Sequence, residues 1–196
     1  MLLLSGLAGR RASAPAPADP PAGVSTVLSL AGELQDGDLV FRRGRDAVSA
    51  MVLERRSDSR FSHVGMVVLQ AGQAWVVHAM PALDGRSGGV QQESLTDFLS
   101  PPAAADAALY RVAGLDSRSR RRLRDGLEAR LGMPFDYGFS LASDDRLYCS
   151  ELVVSAFGHA GLTLAPAMTP LPLMAEPVIL PDALRELPGL EPVAGE

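Results

Sequence analysis

The residues best suited to proton and acyl transfer near neutral pH are scarce in this sequence: one cysteine, Cys149, and three histidines, His63, His78 and His159. A single thiol excludes an intrachain disulfide and a multi-cysteine zinc site. What remains for Cys149 is core packing or nucleophilic chemistry. It opens the run CSELVVSAFGHAG, in which Leu152, Val153, Ala156, Phe157 and Ala160 form one helical face. Cys149 starts that stripe, so its sulfur points toward whatever the helix packs on. In the first turn the helix dipole and unpaired N–H groups favour a thiolate. A buried free cysteine is also common as a small hydrophobe. Position alone leaves both readings open.

The histidines bear on that choice. His63 lies in the apolar run Phe61 to Leu69, and His78 lies in the following run, QAWVVHAM. If the runs form a hairpin centred between Gln70 and Ala71, the two imidazoles oppose each other directly. A centre between Ala71 and Gly72 makes them diagonal neighbours on one face, and a three-residue loop centred on Ala71 puts them on opposite faces. Two buried imidazoles are costly without partners. A relay supplies them: Cys149 as nucleophile, His63 as general base, and His78 holding the other ring nitrogen of His63. This reading expects the sulfur within about 4 Å of a His63 nitrogen and a thiol pKa brought from ~8.5 to below neutrality. The Cys149 backbone N–H would be one oxyanion donor. His159 lies about 15 Å further along the helix and has no assigned role. Metal binding is set aside, because the Cys and His spacings are long and no fourth such ligand is present. No cofactor is called for.

These side chains need a scaffold. QDGDLVFRRG reads as a turn and then a strand at Leu39 to Phe41. DAVSAMVLERR reads as a short helix capped by Asp46, with Val48, Met51 and Val52 as its apolar face. Further strands are expected at GGVQQESL and AALYRVAG, with a helical turn at LTDFLS. DSRSRRRLRDGLEARLG is expected to be a helix capped by Asp116 or Ser117, closed by Gly132, with Leu123, Leu127 and Leu131 as its stripe. Its arginines read as a solvated surface, with an anion-binding face as the rival. Pro-rich segments and a last short helix, PDALREL, follow. The whole is an α+β domain with an antiparallel sheet.

Composition sets the outer limits. Hydrophobic residues make up 47% and charged residues 21% of 196 residues, which suits one domain with a real core. The net charge is −5 and all 18 basic side chains are arginine, so nucleic acid is not an expected partner. No segment after the N-terminus reaches transmembrane length. Residues 1–25, which include MLLLSGLAG and RRASAPAPADPPAG, read as a disordered leader or a truncated signal segment, and 26–196 as a single domain. That leaves the cell envelope or periplasm and the cytoplasm both open as locations. Oligomeric state is not encoded in any pattern found.

The blocks GDLVFRRG, FSHVGMVV and DDRLYCSELV, in this order, resemble the YiiX/YebB-like branch of the NlpC-type cysteine peptidase superfamily, the permuted papain-like amidases. The resemblance covers residues 34–161. It implies a circularly permuted papain-like domain, an antiparallel sheet packed against helices with the nucleophilic cysteine at a helix N-terminus. It places the nucleophile at Cys149, the base at His63 and the orienting residue at His78. Close bacterial relatives often carry a carboxylate at the His78 position. A histidine there is more like the unpermuted peptidases and lecithin:retinol acyltransferase-like enzymes. In unpermuted members a tyrosine assists near the oxyanion; the matching position is Phe135, and Tyr148 and Tyr137 are the candidates to replace it. The resemblance implies a cysteine hydrolase that cleaves an amide in a small peptide or related substrate through a thioester, with cell-wall peptides as the suggested class. A thiol-dependent acyltransferase acting on lipid or amine acceptors and a non-catalytic binding module are the alternatives.

Overall fold

A computed structural model describes residues 19–195 except 84, 86 and 173. The elements run α1 (Ala22–Ser29), β1 (Leu39–Gly44), α2 (Ala47–Leu53), β2 (His63–Gln70), β3 (Gln73–Met80), β4 (Gly89–Ser94), α3 (Leu95–Phe98), β5 (Ala104–Val112), α4 (Ser117–Glu128), α5 (Cys149–His159), α6 (Pro181–Arg185) and β6 (Leu190–Ala194). The strands form one six-stranded antiparallel sheet in the order β4-β3-β2-β1-β5-β6. Alternation along the strands sends side chains to two cores. Leu39, Phe41, Val64, Met66, Val68 and Val77 meet α4 and α5 on one face. Val40, Val67, Val76 and Leu109 meet α1 and α3 on the other.

The β2–β3 hairpin decides where the histidines stand. Met66 pairs with Val77 and Gln70 with Gln73, so the loop is Ala71-Gly72, centred between those two residues. Both have positive φ, 49° and 78°, as the two-residue hairpin turn that matches strand twist requires. His63 and His78 are therefore diagonal neighbours on one face. Gly65 lies against His78: a methyl at position 65 would collide with the Val76 side chain and approach the His78 Cβ to 3.2 Å.

Several elements differ from the sequence expectation. Helix α1 begins at Ala22, inside the stretch read as leader; Val24 and Val27 are buried on the sheet, and that burial outweighs the weak helical preference of AGVSTVLS. The rest of the leader, residues 1–18, lies outside the described residues. Strand β6 was not among the expected elements; its Pro192 is tolerated because β6 is an edge. The Leu123 and Leu127 stripe is buried, but α4 ends at Glu128 and Leu131 is exposed. The arginines of α4 are partly fasteners. Arg120 donates to the Asp36 carbonyl at 2.7 Å, and Arg124 to the Asp36 carboxylate and the Leu69 carbonyl, tying the helix to the sheet.

Gly65→Ala is expected to destabilise the protein by about 1–3 kcal/mol, lowering the thermal midpoint by roughly 3–10 °C. A melting curve unchanged from wild type would show that the β2–β3 packing around His78 is not as tight as this.

Candidate active site

Four strands each place one polar side chain on the sheet face that carries α3. Arg42 of β1 pairs across to His63, the first residue of β2. His63 Nε2 lies 2.8 Å from His78 Nδ1 on β3. His78 Nε2 lies 2.9 Å from Glu93 Oε1 on β4, and Arg42 Nη1 is 3.8 Å from the same oxygen. Phe98 of α3 covers the row. Its ring lies 4.4 Å from the Arg42 guanidinium carbon, and ring centroids are 5.7 Å from His63 and 5.1 Å from His78. Arg42 is held by the Phe98 carbonyl at 2.8 Å and contacts Met80 Sδ at 3.0 Å. His63 and His78 are both buried, His78 completely.

Cys149 comes from the opposite layer. Helix α5 packs through Leu152, Val153, Ala156 and Phe157 on the other sheet face, and Cys149 is its first residue. The sulfur meets the Ser150 hydroxyl at 3.9 Å and the backbone N–H of Val64, the residue after His63. Two sets of contacts set the start of α5. The preceding loop is closed by Asp136 N–H to Leu147 O at 3.1 Å and Leu147 N–H to Pro134 O at 3.0 Å. Glu151, buried in the first turn, accepts the Tyr148 N–H at 3.3 Å. The approach to His63 is held separately: Asp182 of α6 accepts the Arg60 and Phe61 N–H groups at 2.9 and 3.2 Å.

The electrostatics correct one expectation. Burial pushes the Cys149 thiol above its ordinary 9.0, against the opposing pull of the Ser150 hydroxyl and nearby backbone N–H groups. Burial, then the charges of Arg42 and His78, push His63 well below 6.5. Both shifts favour a neutral thiol and a neutral imidazole, rather than the thiolate that a helix N-terminus alone suggests. Burial also raises the Glu151 carboxyl to about 7.

A cleft of about 250 Å³ opens beside Cys149 and is almost entirely apolar. Helix α2 supplies Val48 and Val52, the loop before α5 supplies Phe135 and Phe139, and the segment before α6 supplies Leu171 and Ile179. Met51, Tyr137 and Met174 also line it and are exposed. The apolar face of α2 thus borders the cleft. Tyr148 lies in the wall, buried, its hydroxyl accepting the Ile179 N–H at 3.1 Å, while the Tyr137 hydroxyl accepts the Ala82 N–H at 2.9 Å. His159 is exposed at the far end of α5. Sequence reasoning missed Glu93 and Arg42. Period-two alternation places both on the histidine face, but as charged residues in a strand they read as solvent-facing.

Two pH experiments follow. Alkylation of Cys149 by iodoacetamide at pH 7 is expected to be slower than that of a free thiol and to climb through pH 8 and above; a plateau already reached at pH 6 would show a resting thiolate. Glu151 has a raised folded-state pKa, so its stabilisation is complete below about 4.5 and is lost as pH rises through about 7. Glu151→Gln should remove that loss, giving denaturation midpoints that fall less between pH 5 and 8 than those of wild type. Equal slopes would mean that Glu151 does not ionise in this range.

The comparisons with known proteins agree with this architecture. Residues 33–176 match the family described as "Permuted papain-like amidase enzyme, YaeF/YiiX, C92 family". The protein YiiX of Escherichia coli (strain K12) is 31% identical over 137 residues, 69% of this chain; the chain covers 63% of that relative's length. A crystal structure described as the metalloprotein yiiX from Escherichia coli O157:H7 superposes with a TM-score of 0.70 at 27% identity, covering 83% of this chain and 97% of that one. Among the described residues no helix is long and apolar enough to cross a membrane. With the histidine strand ahead of the cysteine helix and the match spanning β1 to β5 and α5, the chain belongs to the permuted papain-like amidase family of the YaeF/YiiX type.

Proposed function

We propose that this protein is a cysteine amidase in which Cys149 attacks the carbonyl of an amide whose acyl side is apolar. The observations that carry the reading are Cys149 on the wall of an apolar cleft, its sulfur against the backbone N–H of Val64, the residue after His63, and the buried His63–His78 pair. His63 Nε2 is engaged with His78, so Nδ1 is the nitrogen available to the thiol. As sulfur bonds to the carbonyl carbon, the thiol proton passes to Nδ1. The oxyanion meets the Cys149 backbone N–H at the start of α5. The Tyr148 and Tyr137 hydroxyls, which accept from Ile179 and Ala82, each keep a proton to donate and are the two candidates to assist there. Collapse breaks the C–N bond, and the His63 proton goes to the leaving nitrogen. Water then attacks the thioester, gives a proton to His63, and the acid leaves as the thiol is restored.

The apolar walls favour a hydrocarbon acyl group over a polar cell-wall peptide as the occupant of this cleft. The exposed Met51 and Met174 at the cleft are the specific feature that favours a second reading, acyl transfer from a lipid to an amine. The related crystal structure is described as a metalloprotein. The residues here do not suit a metal: the His63 and His78 nitrogens face each other and Glu93, and no group of three or more His, Cys, Asp or Glu among the described residues is arranged to hold one.

Cys149→Ala and His63→Ala are each expected to abolish release of acid from N-acyl amides, and His78→Ala to lose less, because an orienting group contributes less than the nucleophile. Activity should rise with acyl length until the cleft is filled. Full activity in Cys149→Ala excludes the thioester route. Trapping the acyl-enzyme and adding amines at millimolar concentration separates the two readings: acyl groups passing mainly to amine rather than to water would replace amidase by acyltransferase.

A further inference from the structure

The proton positions in the buried row are decided at its far end. A carboxylate beside a guanidinium only accepts hydrogen bonds. Glu93 Oε1, with Arg42 at 3.8 Å, lies 2.9 Å from His78 Nε2, and a carboxylate there favours a hydrogen on that nitrogen. The other nitrogen of a neutral imidazole is then a bare acceptor. His78 Nδ1 therefore accepts across the 2.8 Å contact, and His63 Nε2 must carry the hydrogen it receives. This leaves the lone pair of His63 on Nδ1. With the opposite polarity, Nδ1 would carry a hydrogen and have no capacity to take the thiol proton.

We propose that Glu93, set beside the Arg42 guanidinium, is a positioning residue that fixes the tautomers of His78 and His63 and thereby makes His63 Nδ1 the base for Cys149. The inference deepens the amidase reading and rests on it for its catalytic meaning. The His63–His78 pair alone has no such preference, since either ring can donate to the other. Arg42 is well suited to its part. It is 4% exposed, clamped by the Phe98 carbonyl and lying against the Phe98 ring, and so presents a fixed positive charge that favours oxygen over N–H at position 93. Asp46 and Cys149 are the other charged or titratable groups that act on it.

The test uses full-length protein labelled with ¹⁵N-histidine. Long-range ¹H–¹⁵N spectra should show His63 and His78 both as the Nε2–H tautomer. Glu93→Met removes the acceptor at similar volume, and Glu93→Ala serves as a second variant should Met impair folding. Either is expected to give mixed His63 tautomers. Acylation of Cys149 by p-nitrophenyl butyrate, independent of pH around neutrality in wild type, should fall on the order of tenfold at pH 6.5 and rise with pH, because the thiol then loses its proton to solvent. Glu93→Gln retains an acceptor oxygen held by Arg42, so it should keep the Nε2–H tautomers and the flat profile, at an intermediate rate. The proposal is overturned by a folded Met or Ala variant that keeps a single Nε2–H tautomer and a flat profile, or by a Gln variant as impaired as Met. Correct wild-type tautomers with no acylation at all would instead reject the amidase reading and leave the tautomer assignment standing.

Discussion

The hydrogen bond between two buried imidazoles is the constraint around which the rest of this structure is arranged. Neither ring has water to fall back on, and each would be expensive to bury alone. Together they satisfy one nitrogen apiece, and a carboxylate oxygen lies 2.9 Å from a third. The sheet must therefore deliver three residues from three adjacent strands to one face in diagonal register. The Ala71-Gly72 turn does this for the first pair. On the second pair, Val76 opposite Glu93 and Gln91 opposite His78 set a diagonal of the same kind. A one-residue slip at either would send a member of the row to the other face.

Phe98 explains how such a polar row survives in an apolar layer. It comes from the single-turn helix α3, directly after β4, capped by Ser94. Its ring and carbonyl cover Arg42, His63 and His78 together. The cover keeps the hydrogen bonds in a low-dielectric setting, where they are stronger and where any missing partner costs more. It also explains why the resting pair is uncharged. The same burial that strengthens the imidazole contact penalises an imidazolium at His63 and a thiolate at Cys149.

Much of this was legible in the sequence, for identifiable reasons. Strand alternation and apolar runs marked β2 and β3, and the stripe from Leu152 to Ala160 marked α5, with Cys149 at its start. The histidine pair was legible as a pair, but its register was not, because Gln70, Ala71 and Gly72 allow more than one loop. Ala71 adopts positive φ, a choice its side chain does not announce. Glu93 and Arg42 were not legible, since a strand written VQQES or VFRRG looks half-solvated until a neighbour covers it. The cleft was invisible for a related reason. Val48 and Val52 read as an ordinary core face of α2, and only the chain from Leu171 to Leu180, without helix or strand periodicity, turns that face into a wall.

The neutral resting pair and the apolar cleft belong to one physical logic. An ion pair formed in advance would be solvated poorly in this site, and burial would raise its energy before any substrate arrived. In the proposed reaction, charge is better tolerated once an acyl group fills the cleft, because the carbonyl oxygen would develop its charge at the N-terminus of α5, where the helix N–H groups already point. Excluding water by apolar contact strengthens those donors at the moment they are needed. Tyr148 is amphiphilic within the same wall: its ring packs among Phe139 and the core, while its hydroxyl accepts the Ile179 N–H. In the proposed reaction, binding energy from a hydrocarbon chain along this wall would help seat the carbonyl at Cys149.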